Sequence, residues 1–338
     1  GRIDYRTSSG AWRIDVEETE LAGGIRFKEN AGSASLLIRG ARMDTSDIAV
    51  RLVSGEVGFS FSEQGLEAIE SHLAFPGSHM ELKGAISGPF SEPTGDLALT
   101  AGIDLNDIHA MFRMDLPMSG KLTGTIHLKD SLQRPRLTAE FRHEGGHLGP
   151  YRLDSGSLSA TMDQQKVALE ELVLTAGEGR AAVSGEIDLN GVFPGGLLTS
   201  PSTSRALTYT LSLKQEGVAL ASLLPGVTRA SGTLNAMAEV AGKGVDVDHL
   251  DATLNLWAEL TAFSMVGRPA ADALEVTTTA SVTPERLQVD GFRATSGTLT
   301  LEGGGHLDRT GRTVFAALKL ASPDLARLPQ ILGNSGIQ

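Results

Sequence analysis

The sequence predicts an all-β protein, an elongated and repetitive antiparallel sheet with a few short helices where the repeats join. The first observation behind this is a block that recurs without a gap, as Gly55–Gly84, Gly156–Gly185 and Leu274–Gly303. Superposed, the copies agree in the apolar columns Val57/Leu158/Val276, Ala68/Leu169/Leu287, Leu73/Leu174/Phe292 and Leu82/Val183/Leu301, and each closes on glycine. They share two turn positions, first at Gly65, Gln165 and Pro284 and then at Gly77, Gly177 and Gly297, so each block reads as three short strands. Hairpins of this size cannot bury an apolar face alone, and their recurrence implies a stacked, extended body. The second observation is alternation. Leu97, Leu99, Ala101, Ile103 and Leu105 fall on one face, with Asp96, Ala98, Thr100, Gly102 and Asp104 on the other. Leu122, Gly124, Ile126 and Leu128 alternate likewise with Lys121, Thr123, Thr125 and His127, as do Leu137, Ala139 and Phe141 with Arg136, Thr138 and Glu140. Such strands are antiparallel, with one apolar and one wet face. The third is composition: 40 glycines and 5% aromatics among 338 residues, with 41% hydrophobic, suit many short strands and are too apolar for disorder.

Taken in order, residues 1–118 form an incomplete first repeat region, with strand runs at Ala11–Val16, Ser33–Arg39 and Asp47–Val53. Residues 119–231 form a second repeat and residues 232–338 a third, in one continuous elongated body. Helical signals sit at the junctions, in Asp107–Pro117, Gly217–Pro225 and Ser322–Pro329. Asp107 and Ser322 are the expected N-caps, Pro323 a first helical residue, and a Leu-Pro pair the stop. A Ser-Gly pair follows each, at Ser119-Gly120, Ser231-Gly232 and Ser335-Gly336. Gly191–Ala206, rich in Gly, Pro, Ser and Thr, reads as a long loop that leaves the sheet and tolerates insertion. Gly303-Gly304-Gly305 reads as a bulge or bend in a strand.

Two patterns raise metal chemistry. His143-Glu144-Gly145-Gly146-His147 matches the zinc-protease motif HExxH, which works only where a helix places both histidines on one face. Adjacent glycines and strand-like flanks argue for a hairpin loop instead. Asp246, Asp248 and Asp251 offer calcium-type oxygens but lack the glycine and distal Glu of an EF-hand, and read as a solvated acidic loop. The remaining histidines are scattered, no GxSxG turn or phosphate-binding loop is present, and neither catalysis nor a cofactor nor a metal is expected.

A net charge of −12 without a Lys/Arg run opposes a phosphate backbone, so nucleic acid is not an expected partner. Cysteine is absent, which fits an oxidising compartment. No apolar run is long enough to cross a bilayer, and the start Gly1–Tyr5 is neither a signal peptide nor an initiator methionine, so a piece of a longer protein is expected.

The order of these signatures carries a resemblance. A short helix ending in Leu-Pro precedes Ser119–Leu128 (SGKLTGTIHL), then Pro135-x-Leu137, then Gly156-x-Leu158 and the block that ends in Gly185-x-Ile187-x-Leu189. Leu223-Leu224-Pro225 to Leu234, and Asp324 to Pro329, look like further passes of it. Over residues 55–338 the chain resembles the AsmA-like family of Gram-negative envelope proteins, which includes AsmA, TamB and the YhdP type. The resemblance implies a U-shaped, taco-like β groove that spans the periplasm, tethered to the inner membrane by a segment absent from this chain, and holds or conducts phospholipid acyl chains. Membrane contact would come through parts outside this chain, and outer-membrane assembly proteins are further partners. The candidate groove residues are Leu97, Leu99, Ile103, Leu122, Ile126, Leu128, Leu137, Phe141, Leu158, Leu172, Leu174, Val183 and Ile187. Two other functions remain open: an assembly factor for outer-membrane or secreted β proteins, and a β-solenoid stalk or adhesin with a closed core.

Overall fold

Alternating apolar residues become strands along nearly the whole chain. The computed structural model describes residues 2–7, 10–26, 31–45, 48–63, 65–88, 92–199, 202, 207–223, 230–244, 249–265, 268–269, 273–309, 311 and 313–322. Strand accounts for 77% of the protein, which makes it all-β and antiparallel. The chain divides into two units, Gly1–Leu172 with Phe193–Pro201, and Val173–Val192 with Ser202–Gln338.

The first unit is a meander of β1 (Arg2–Thr7), β2 (Gly10–Arg26), β3 (Ala31–Asp44), β4 (Ala49–Ser62), β5 (Gly65–Ala74), β6 (His79–Ser87) and β7 (Thr94–Asp104). After the helix α1 (Leu105–Phe112) it continues through β8 (Met118–Ser131), β9 (Arg136–Leu148) and β10 (Tyr151–Asp163) into β11 (Lys166–Ala176). From β1 to β10 each strand pairs antiparallel with the next. The recurring block at Gly55–Gly84 supplies the end of β4, then β5 and β6, as its two turns require. Its closing glycine has a steric cause. Gly84 has φ 148°, and a Cβ there would run into the carbonyl oxygen of Asp96 on the neighbouring strand.

α1 is the junction helix, but its caps differ from the expected ones. Asp104 is the N-cap, its carboxylate accepting from the Asn106 N–H at 2.9 Å. Asp107 instead accepts from the Gly77 N–H at 2.8 Å and the Ser78 hydroxyl at 2.6 Å, which ties the helix to the β5–β6 turn. Leu105 therefore opens the helix rather than extending β7. The helix ends before Pro117, at Arg113, whose φ of 47° lets its N–H reach the His109 carbonyl.

The second unit takes in the last residues of β11 and then β12 (Gly179–Asp188), β13 (Thr208–Ala219), the four-residue helix α2 (Leu220–Leu223), β14 (Ala230–Lys243) and β15 (Asp251–Met265). The two-residue β16 (Arg268–Pro269) follows, then β17 (Leu274–Val282), β18 (Arg286–Ser296), β19 (Leu299–Asp308) and β20 (Thr313–Ala321). Pairing is again antiparallel and sequential from β12 to β20, except that β15 pairs with both β16 and β17. The third block, Leu274–Gly303, forms β17, β18 and most of β19. Gly303, Gly304 and Gly305 run on through β19, and the extra residue lies in β18, where pairing shifts between Val289 and Phe292.

The loop after β12 corrects a second expectation. Rather than hanging free, its residues fold onto the first unit: the Leu197 N–H donates to the Gln133 carbonyl at 2.7 Å, and Arg134 donates to the Pro194 carbonyl at 3.2 Å. Gln165, fully buried in the β10–β11 turn, donates its amide to the Phe193 carbonyl. An insertion between Phe193 and Leu197 would break these bonds, so this stretch is a poor site for one. Of the junction segment Ser322–Pro329, all but Ser322 lies outside the described residues, as do the aspartates Asp246 and Asp248; Asp251 opens β15 and pairs with Lys243 at 3.2 Å.

Candidate functional site

Ladder pairing converts the sequence alternation into rows that cross the strands on one face. In the first unit one row runs Leu36, Val57, Ser71, Leu82, Leu99, Ile126, Ala139, Ala160. Beside it run Leu97, Leu128, Leu137 and Met162, and on the other side Ala101, Gly124, Phe141 and Leu158, with Ile103 opposite Leu122 beyond them. The strands thus bring Leu97, Leu99, Ile103, Leu122, Ile126, Leu128, Leu137, Phe141 and Leu158 onto one surface. Leu172 and Leu174 stand in β11, at the end of the first unit and the start of the second. In the second unit Val183 opposes Leu213, and Ile187 opposes Tyr209. Within the second unit, sequence reasoning missed the apolar rows that run through Leu211, Leu213, Val240, Leu254 and Leu256, although alternation in Thr208–Lys214 signalled them.

Burial is graded along this face. Every one of the thirteen candidate residues is half-buried. Among the described residues, the buried aliphatic side chains are Ala101, Ala139, Met162, Val218, Ala236, Ala238 and Ala252, mostly alanines too small to project from the sheet. Toward the outer strands of each unit the apolar row is more open still, with Leu21 75% exposed on β2 in the first and Leu318 70% exposed on β20 in the second. The larger aliphatics therefore keep part of their surface available to an apolar occupant.

The HExxH segment is not the expected hairpin loop. His143–His147 lies within β9, and the reversal comes later, at Gly149-Pro150. Pairing shifts between Ser119 and Lys121, where Gly145 takes φ 43° to absorb the extra residue. That bulge puts Glu144 opposite Lys121 and His147 opposite Ser119 on the polar face, while His143 stays opposite Leu122 on the apolar one. The two imidazoles stand on opposite faces and cannot share a zinc ion. His143 is 9% exposed, and neither ring nitrogen has a hydrogen-bond partner.

On the polar face, β5 and β6 bring together Glu70, His72 and Glu81, whose ligand-type atoms lie within 4.8 Å of one another, a cluster the sequence did not suggest. Lys83 already serves these carboxylates, contacting Glu81 closely and Glu70 at 3.4 Å. Its hydrogen bond holds the Glu81 carboxyl below its usual range, and the same bond raises the Lys83 ammonium. A bound cation would have to displace that ammonium, so the cluster reads as an exposed ion-pair network. The chain matches no protein-family model, no curated protein and no solved structure.

Proposed function

We propose that the apolar face holds or conducts phospholipid acyl chains, in a non-catalytic protein of the AsmA-like type whose sheet curls over them as a groove. The observation that carries this reading is the half-buried state of cross-strand rows of Leu, Ile and Phe whose outright-buried neighbours are mainly alanines. A dry-cored stalk would bury those aliphatics; here covering them remains favourable, by about 0.8 kcal/mol for each methylene removed from water. Head groups would stay in water beyond the rim. In this reading the protein works in the periplasm between inner and outer membranes, tethered by a segment outside this chain, with outer-membrane assembly proteins as further partners. The test is mass spectrometry of an organic extract of the purified chain. Co-purifying glycerophospholipid is expected. An extract without lipid, from protein that instead captures unfolded outer-membrane strands, would replace this reading with the assembly-factor one.

A further inference from the structure

We propose that the polar face of the second unit carries a saccharide-binding site, centred on Trp257 in a cavity of about 600 Å³. One ladder row of the lining runs through its centre: Met237 opposes Trp257, Trp257 opposes Thr277, Thr277 opposes Arg293, and Arg293 opposes Glu302; beside it Glu239 opposes Asn255 and Asn255 opposes Thr279. This row is displaced by one residue from the apolar row of Ala238, Leu256, Thr278 and Phe292, so its side chains stand on the other face. Leu256, Thr278 and Phe292 of that apolar row also border the cavity, but the proposal rests on the Trp257 row and not on lipid binding.

Chemistry selects the ligand class. The indole N–H of Trp257 donates to Glu275 at 2.8 Å, which fixes the ring, and Met237 is 54% exposed on a face otherwise polar. Together they give an apolar platform flanked by hydrogen-bonding groups. Arg293 donates to Glu302 through Nε at 2.9 Å, and the Thr279 hydroxyl donates to the Asn255 side-chain oxygen at 3.2 Å. A phosphate would need cationic charge in excess, whereas Arg293 is balanced by Glu302 and Glu239 also borders the cavity. Met237, Leu256, Trp257 and Phe292 give the cavity apolar wall, but Thr277, Thr279, Arg293 and Glu302 interrupt it, so an acyl chain finds no continuous track there. A sugar has an apolar C–H face for the indole and a rim of hydroxyls that both donate and accept, which matches amides, carboxylates and hydroxyls set around one aromatic. The cavity also falls in the range of about 300–1,000 Å³ typical of small-molecule sites.

Saturation-transfer NMR of the whole chain with cellobiose and with N,N′-diacetylchitobiose tests this. Transfer to the ring protons of at least one sugar is expected. Trp257→Ala should weaken it about tenfold and Trp257→Phe by no more than about threefold, because phenyl keeps a stacking face. Should Trp257→Ala lose its strand spectrum, the exposed change Asn255→Ala takes its place, with weaker binding expected. No transfer from wild-type protein to either sugar, or undiminished transfer in these variants, would overturn the proposal.

Discussion

His143 departs from the pattern around it, since both nitrogens of its imidazole are desolvated and unpaired on an apolar face. A buried polar group without a partner costs about 1–3 kcal/mol, and an apolar replacement of similar size recovers part of that. His143→Leu is therefore expected to raise stability by about 1 kcal/mol, seen as a higher urea midpoint with unchanged slope. A lower midpoint would show that the imidazole makes a stabilising bond in solution. His147, exposed opposite Ser119, should tolerate the same change with a shift within about 0.5 kcal/mol. Residue letters alone could not separate the two histidines. They lie four apart, an even spacing that keeps one face in a regular strand, and only the extra residue at Gly145 parts them.

At the scale of elements, the blocks were legible because their turn residues and apolar columns repeat in step, and each copy yields three strands. Lengths and caps were less so. Asp104 and Asp107 are both credible helix caps by type, and what decides between them is Ser78, 29 positions away in sequence but adjacent in space, whose hydroxyl engages Asp107. The same holds for the loop after β12, whose composition reads as free chain while its fixing partners, Gln133 and Gln165, lie far back in the sequence. The candidate face was legible wherever alternation was strict, and its half-buried state was not, because periodicity gives the face of a side chain and not what covers it. The closing glycines offer a direct test of the repeat. Gly185 has φ 147°, nearly that of Gly84, and a Cβ there would meet the Thr210 carbonyl as one at Gly84 would meet that of Asp96. Gly84→Ala and Gly185→Ala should each cost about 1–3 kcal/mol. Gly177, also at positive φ but with open space around it, should pay only the backbone part and lose less. Equal losses at all three positions would remove the steric argument for the conserved spacing of the blocks within this chain.

For the molecule as a whole, a net charge of −12 and an apolar face in each unit set the terms of binding: anionic surfaces are repelled while acyl chains are not. The decisive variant lies at the centre of the first unit's face. Ile126 sits between Leu99 and Ala139 in the ladder and is half-buried. Replacing it with Asp places a carboxylate among the aliphatics. In a closed core that charge would be desolvated without a partner, at a cost of several kcal/mol, enough to unfold a marginal domain. On a face that admits water at its margin the carboxylate stays solvated, so the fold should survive while bound lipid falls severalfold, because each displaced methylene forfeits about 0.8 kcal/mol. The control has to be chosen from the register. Thr125 points to the polar face but stands opposite Glu140, where an aspartate would meet a like charge. Thr123 is exposed and stands opposite Arg142, so Thr123→Asp should leave both lipid content and melting unchanged. Paired melting curves and lipid extracts of the two variants decide the matter: collapse of Ile126→Asp would mean a closed core, and a folded Ile126→Asp with its full complement of lipid would place the acyl chains somewhere other than this face.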